Sequence, residues 1–112
     1  MISIIEQDKI EELKELGGDE FVQEIVTLFL DQSDEIYKDI KNAVESKNAD
    51  VLYKSSHKLK GSCLNIGAAR LADISKTLEL KGKTQDLSNL EEFFSQFNTI
   101  YQETYQEVSK LK

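Results

Sequence analysis

The sequence predicts an all-α chain: an antiparallel, up-and-down four-helix bundle with a short extra helix at its N-terminus. Three observations predict it. The 112 residues include no proline and only five glycines, so helix interiors meet no proline breaks and turns fall to Gly, Asn, Asp and Ser. Apolar residues recur at steps of three and four through most of the chain, as one face of a helix requires. The intervals between these stretches are short, which makes successive helices antiparallel neighbours. Residues 1–112 are expected to form one domain, a usual length for a single core.

The leading helix runs from about Ile4 to Leu16 and meets a stop at Gly17-Gly18. Asp19 is placed to cap a long second helix reaching about Lys47. Its stripe is Val22, Ile25, Val26, Phe29, Ile36, Ile40 and Val44. Phe21, Leu28, Leu30 and Tyr37 widen that stripe beyond what one core needs. Asn48 or Asp50 caps the third helix, about Ala49 to Asn65, with Leu52, Ser55, Leu59, Cys63 and Ile66 inward. Gly67 breaks it. A fourth helix presents Leu71, Ile74 and Leu78, runs to Lys81 and is expected to stop at Gly82. Ser88 and Glu91 have the S-x-x-E spacing of a capping box for the last helix. That helix carries Leu90, Phe93, Phe94, Phe97, Ile100, Tyr101, Tyr105, Val108 and Leu111.

Charge and cysteine content narrow the function. The net charge is −7, a surface that repels phosphate backbones and anionic lipid, so neither nucleic acid nor membrane is an expected partner. The one cysteine, Cys63, leaves no internal disulfide and suits a reducing compartment. The opening Met-Ile-Ser-Ile-Ile lacks a basic region and reads as neither a signal peptide nor a span, so the expected address is the cytoplasm. No cofactor is expected: there is no glycine-rich phosphate loop and no acidic or histidine cluster with metal-ligand spacing. One histidine and one cysteine six residues apart do not make a zinc site.

The stretch His57-Lys58-Leu59-Lys60-Gly61-Ser62-Cys63 carries the chemistry. At about 100° per residue, His57, Lys60, Gly61 and Leu64 share a face roughly opposite the inward Leu59. His57 is thus expected to look outward, with a cation one turn on. Gly61 costs about 1 kcal/mol relative to alanine inside a helix, and room beside the imidazole would compensate. Neutral imidazole is a good nucleophile toward phosphorus near neutral pH, and an adjacent ammonium stabilises phosphoryl oxygens. Singly these residues are ordinary surface features; only their joint spacing sets them apart.

The segment His57-Lys58-Leu59-Lys60-Gly61-Ser62, then Gly67-Ala68 and Leu71, resembles the histidine-containing phosphotransfer (HPt) domain family. Gly17, Gly18, Asp19 and the run Leu28-Phe29-Leu30 match upstream, so the resemblance reaches from about Ile10 into the last helix. It implies that His57 is phosphorylated, that Lys60 stabilises the phosphate, and that Gly61 gives access to an incoming active site. Ser62 would assist by hydrogen bonding or sit in a tight helix contact. The family often places a glutamine or glutamate on the next helix near the histidine, and Glu79 holds that position here. Partners implied are response-regulator receiver domains and a hybrid sensor kinase, with Mg²⁺ on the receiver and none on this chain.

Docking is expected to use Leu64 and the second-helix residues Val22, Val26 and Leu30, an apolar contact that suits an acidic chain. The chain is expected to be a monomer, a carrier with no kinase activity of its own. Met1 and the full set of helices tilt the expectation toward a free-standing protein. Two rivals are a receiver-binding module with His57 unused, and the dimerisation and phosphoacceptor part of a sensor kinase. The latter usually has an acidic residue after its histidine and a proline nearby, whereas this chain has Lys58 and no proline.

Overall fold

A computed structural model describes residues 2–112. Four helices follow in order: α1 (Gln7–Ser46), α2 (Ala49–Ile66), α3 (Ala69–Thr84) and α4 (Leu90–Ser109). Each packs on its neighbours in sequence, and α4 closes the bundle against α1 and α3. None of the described helices is long and apolar enough to cross a membrane.

The stop expected at Gly17-Gly18 is a kink within α1. Gly18 sits at φ 77°, ψ −173°, a region essentially restricted to glycine. A straight helix of this length would span about 60 Å, yet the molecule is 43 Å in its longest direction. The kink therefore turns the leading arm across the end of the bundle. Ile10 and Leu13 bury there, and the backbone N–H of Glu6 donates to the Gly67 carbonyl at 2.8 Å. Beyond the kink the longer arm of α1 begins at Asp19, whose carboxylate lies 3.9 Å from Lys14 Nζ.

Gly67 ends α2 in the left-handed region, φ 82°, where glycine carries no Cβ penalty. Asn48 rather than Asp50 caps the start of α2: its side chain accepts from the Val51 N–H at 3.1 Å. Two other end signals resolve differently from expectation. Helix α3 runs past Gly82 to Thr84 and terminates with Gln85 at φ 56°. Ser88 and Glu91 form no capping box: Asn89 precedes the first residue of α4, and the Ser88 hydroxyl donates to the Asp86 carboxylate.

The core is built as the periodicity requires. Leu52, Leu59, Cys63 and Ile66 from α2 are fully buried, and Leu71 and Leu78 from α3 meet them. On the α1–α4 side, Tyr37 stacks on Tyr101 with ring centroids 4.4 Å apart and lies 5.9 Å from Phe97. The Tyr37 hydroxyl also donates to the Asn98 side-chain carbonyl. Lys81, nearly buried, donates to the Ser88 carbonyl at 2.6 Å and sits over the Phe93 ring, tying the α3–α4 loop to α3.

Gly82 and Gly61 are both helical glycines with opposite surroundings. A Cβ at Gly82 would fall 2.6 Å from the Tyr53 backbone nitrogen and 2.7 Å from the Ala49 carbonyl oxygen, whereas one at Gly61 would meet nothing within 4 Å. Gly82→Ala is expected to cost about 1–3 kcal/mol through overpacking against backbone. Gly61→Ala is expected to gain about 0.5–1 kcal/mol from helix propensity. Urea melts of the two variants, read by circular dichroism, check both signs.

Candidate functional site

The middle of α2 presents the chemistry. Leu59 is fully buried, which anchors the helix rotation and turns His57 outward with its side chain 63% exposed. Gly61 is exposed, Ser62 half-buried and Leu64 59% exposed. The sequence-derived face of His57, Lys60, Gly61 and Leu64 is thus one continuous outer surface. Gly61 answers no packing demand of this chain, because the space its Cβ would take is open. Ser62 reaches α1, where its hydroxyl lies 3.4 Å from Gln32 Oε1.

Glu79 crosses from α3 and joins the two key side chains. Its Oε2 lies 2.9 Å from His57 Nδ1 and its Oε1 lies 2.8 Å from Lys60 Nζ. The Glu79 side chain is only 14% exposed, against 27% for Lys60. Burial pushes the Glu79 carboxyl up, but the Lys60 ammonium and the His57 ring more than offset this and hold it below the usual carboxylate range. An ionised carboxylate only accepts hydrogen bonds, so its contact fixes the imidazole proton on Nδ1. In the neutral ring that leaves the nucleophilic lone pair on Nε2. Lys60, expected as a cation one turn from the histidine, lies on the same carboxylate.

The docking residues expected on α1 are corrected. Val22, Val26 and Leu30 are 4%, 0% and 5% exposed; they belong to the bundle core and offer no surface. The α1 residues that face the histidine are Gln32, Glu35 and Ile36, which line a cleft with His57, Lys58, Gly61 and Ser62. Sequence reasoning passed over Gln32 and Glu35 because it followed the apolar stripe, and it read Ile36 only as part of that stripe. The available signal was the i, i+4 step from Gln32 to Ile36 on the outer side of that helix. Cys63 takes no part: it is fully buried, and burial pushes its thiol up to about 12, so it holds no thiolate near neutral pH.

Glu79→Gln tests the bridge. The depressed carboxyl supports the fold above the ordinary glutamate range near pH 4.3 and loses that contribution as pH falls through its own lower value. The variant is expected to be less stable than wild type at pH 7, with the difference closing below about pH 4. Urea midpoints across the acid range measure the gap; a gap that stays constant would contradict the ionic bridge.

Comparison with known proteins identifies the fold and the family. The fold matches histidine-containing phosphotransfer protein B from Pseudomonas aeruginosa with a TM-score of 0.88 at 21% identity, covering 98% of this chain and 95% of that one. It also matches a histidine-containing phosphotransfer protein from Medicago truncatula at TM-score 0.77 and 22% identity, covering 96% and 78%. By sequence, pseudo histidine-containing phosphotransfer proteins 1 and 5 of Oryza sativa subsp. japonica are 35% and 32% identical over 65 residues. That stretch is 56% of this chain but only 35% and 43% of the two rice proteins. The family model for the Hpt domain matches residues 24–108, and the chain belongs to the Hpt domain family.

Proposed function

We propose that this chain is a phosphorelay carrier of two-component signalling. His57 Nε2 accepts a phosphoryl group from the aspartyl phosphate of a response-regulator receiver domain and returns it to the aspartate of a second receiver. The observation that carries the reading is the outward imidazole, tied at Nδ1 by Glu79 and flanked by an open glycine. An in-line attack needs an approach path to Nε2, and the missing Gly61 side chain supplies one a single turn away. Lys60, whose ammonium lies 2.8 Å from the carboxylate that His57 also touches, is the cation placed to answer the added charge.

The divalent cation of the reaction is assigned to the receiver, and phosphorylation of this chain to a partner such as a hybrid kinase rather than to its own activity. Operation in the cytoplasm as a monomer belongs to the same proposal. A second reading, binding of receivers without transfer, is favoured by the word "pseudo" in the names of the two rice relatives. His57 is the observation against it here.

Incubation with a panel of phosphate-labelled receivers separates the two. Wild type is expected to acquire acid-labile, base-stable label that His57→Gln does not; label persisting on the variant would end the assignment. Gly61→Leu is expected to lower transfer at least about tenfold while the fold stays intact, since the helix has room for the side chain and the visitor does not. Lys60→Ala should slow transfer by about 100-fold or more with helicity unchanged, a size usual for loss of one charge-stabilising group.

A further inference from the structure

We propose that Lys58 and Glu35, a cation and a carboxylate on opposite lips of the cleft beside His57, select among receiver domains. The receiver that exchanges phosphoryl groups fastest presents a carboxylate to Lys58 and a lysine or arginine to Glu35. The inference rests on the relay reading and names the kind of partner that site accepts.

Lysines lie on both flanks of the imidazole, and the rotation of α2 sends them in opposite directions. Leu59 between them is fully buried, so at about 100° per residue Lys58 and Lys60 fall on either side of the helix. Lys60 reaches α3 and closes on Glu79 at 2.8 Å. Lys58 turns toward α1, where it lines one cleft with Gln32, Glu35, Ile36, Gly61 and His57. The histidine thus stands between two sets of lysine and glutamate, and the chain itself closes only the set on the α3 side.

The other set is left open. Lys58 and Glu35 are both exposed, and among the described residues neither has an ion-pair partner. Their neighbours one turn away do: Lys38 on α1 holds Asp34 at 3.3 Å, and Lys54 on α2 holds Asp50 at 3.0 Å. The open charges sit at the entrance that a visiting active site must cover to reach Nε2. Solvated charges at such a rim choose between partners more than they add affinity, because a like charge brought into contact is heavily penalised. Opposite signs on the two lips also set a polarity. A visitor with the reverse order meets two like-charge contacts in place of two ion pairs.

Phosphate-labelled receivers, ranked by the rate at which label reaches the full chain, test the selection. The proteins compared are wild type, Lys58→Glu, Glu35→Lys and the double reversal. The readout is the ratio of rates between two receivers on one variant. Every receiver draws on the same His57, so an altered imidazole or a loosened fold scales all rates together and cancels. Each single reversal is expected to change the ratio between the best and the poorest wild-type receivers by at least about tenfold, the effect of one like-charge contact. Carboxylates around the phosphorylated aspartate of the best receiver are then reversed one at a time. One of these changes should recover transfer to Lys58→Glu, as a double-mutant cycle requires of a direct contact.

Rates that all fall in the same proportion overturn the proposal. So does a double reversal that behaves as wild type while the single ones fail, because the pair would then close across the cleft on itself. Binding of the same receivers, followed by ¹H–¹⁵N NMR shifts, separates this selection from the relay. A binding order that inverts with charge while no label reaches wild type keeps the selection and overturns the relay. Receivers that do not bind, or whose binding ignores both reversals, overturn the selection.

Discussion

Helices α2 and α3 approach each other closely enough that Gly82 lies against the Ala49 and Tyr53 backbone, and the functional face depends on that approach. In an antiparallel pair, one turn back along α3 from Gly82 is Glu79, and one turn forward along α2 from Tyr53 is His57. A contact that has no catalytic group in it therefore sets the register that carries a carboxylate to an imidazole. Ser55 and Ser56 on α2 and Ser75 on α3 are small and buried as well. A larger residue at Gly82 would push the helices apart where a carboxylate must reach across to two partners. Discrete helix packing passes such a shift to the site, because cores have little slack to absorb it.

Much of this was legible in the sequence. The helices followed from apolar spacing, and the outward His57 from the inward Leu59 two residues later. Gly61 was legible as an anomaly, a helix-weakening residue without an evident reason, and its open surroundings supply one. Local grammar failed where tertiary contact decides. Gly82 looked like a helix stop, since glycine commonly ends helices, but here it answers to the neighbouring backbone. Ser88 and Glu91 had the spacing of a cap, yet Lys81 draws the Ser88 carbonyl and Asp86 takes the Ser88 hydroxyl. Val22, Val26 and Leu30 could not be sorted into core or surface while the stripe was wider than one face. The position of Lys60 was unreadable from α2 alone, since the group that captures it comes from α3.

The same carboxylate resolves an apparent conflict. A negative group beside the residue proposed to carry phosphate should repel it, and a glutamate there looks like an error of electrostatic design. Its two oxygens divide the work: one holds the ring proton, and the other is neutralised by Lys60. The local charge of the trio changes little, while the field at Nδ1 is strong because the carboxylate is largely buried. A free lysine and a neutral glutamine would place the same groups nearby without this coupling.

Charge also bears on how a partner finds the site. The whole chain carries −7, yet the charged side chains around the histidine are balanced, Lys58 and Lys60 against Glu35 and Glu79. Long-range steering toward an acidic receiver is accordingly weak, and salt would change it little at contact distance. Association would then rest on fit: Leu64 is exposed on the histidine's helix, and Ile36 lines the cleft with His57 and Gly61. Such a contact is small and quickly released. On the relay proposed above, a carrier visiting two partners in turn would gain more from that than from tight binding to either.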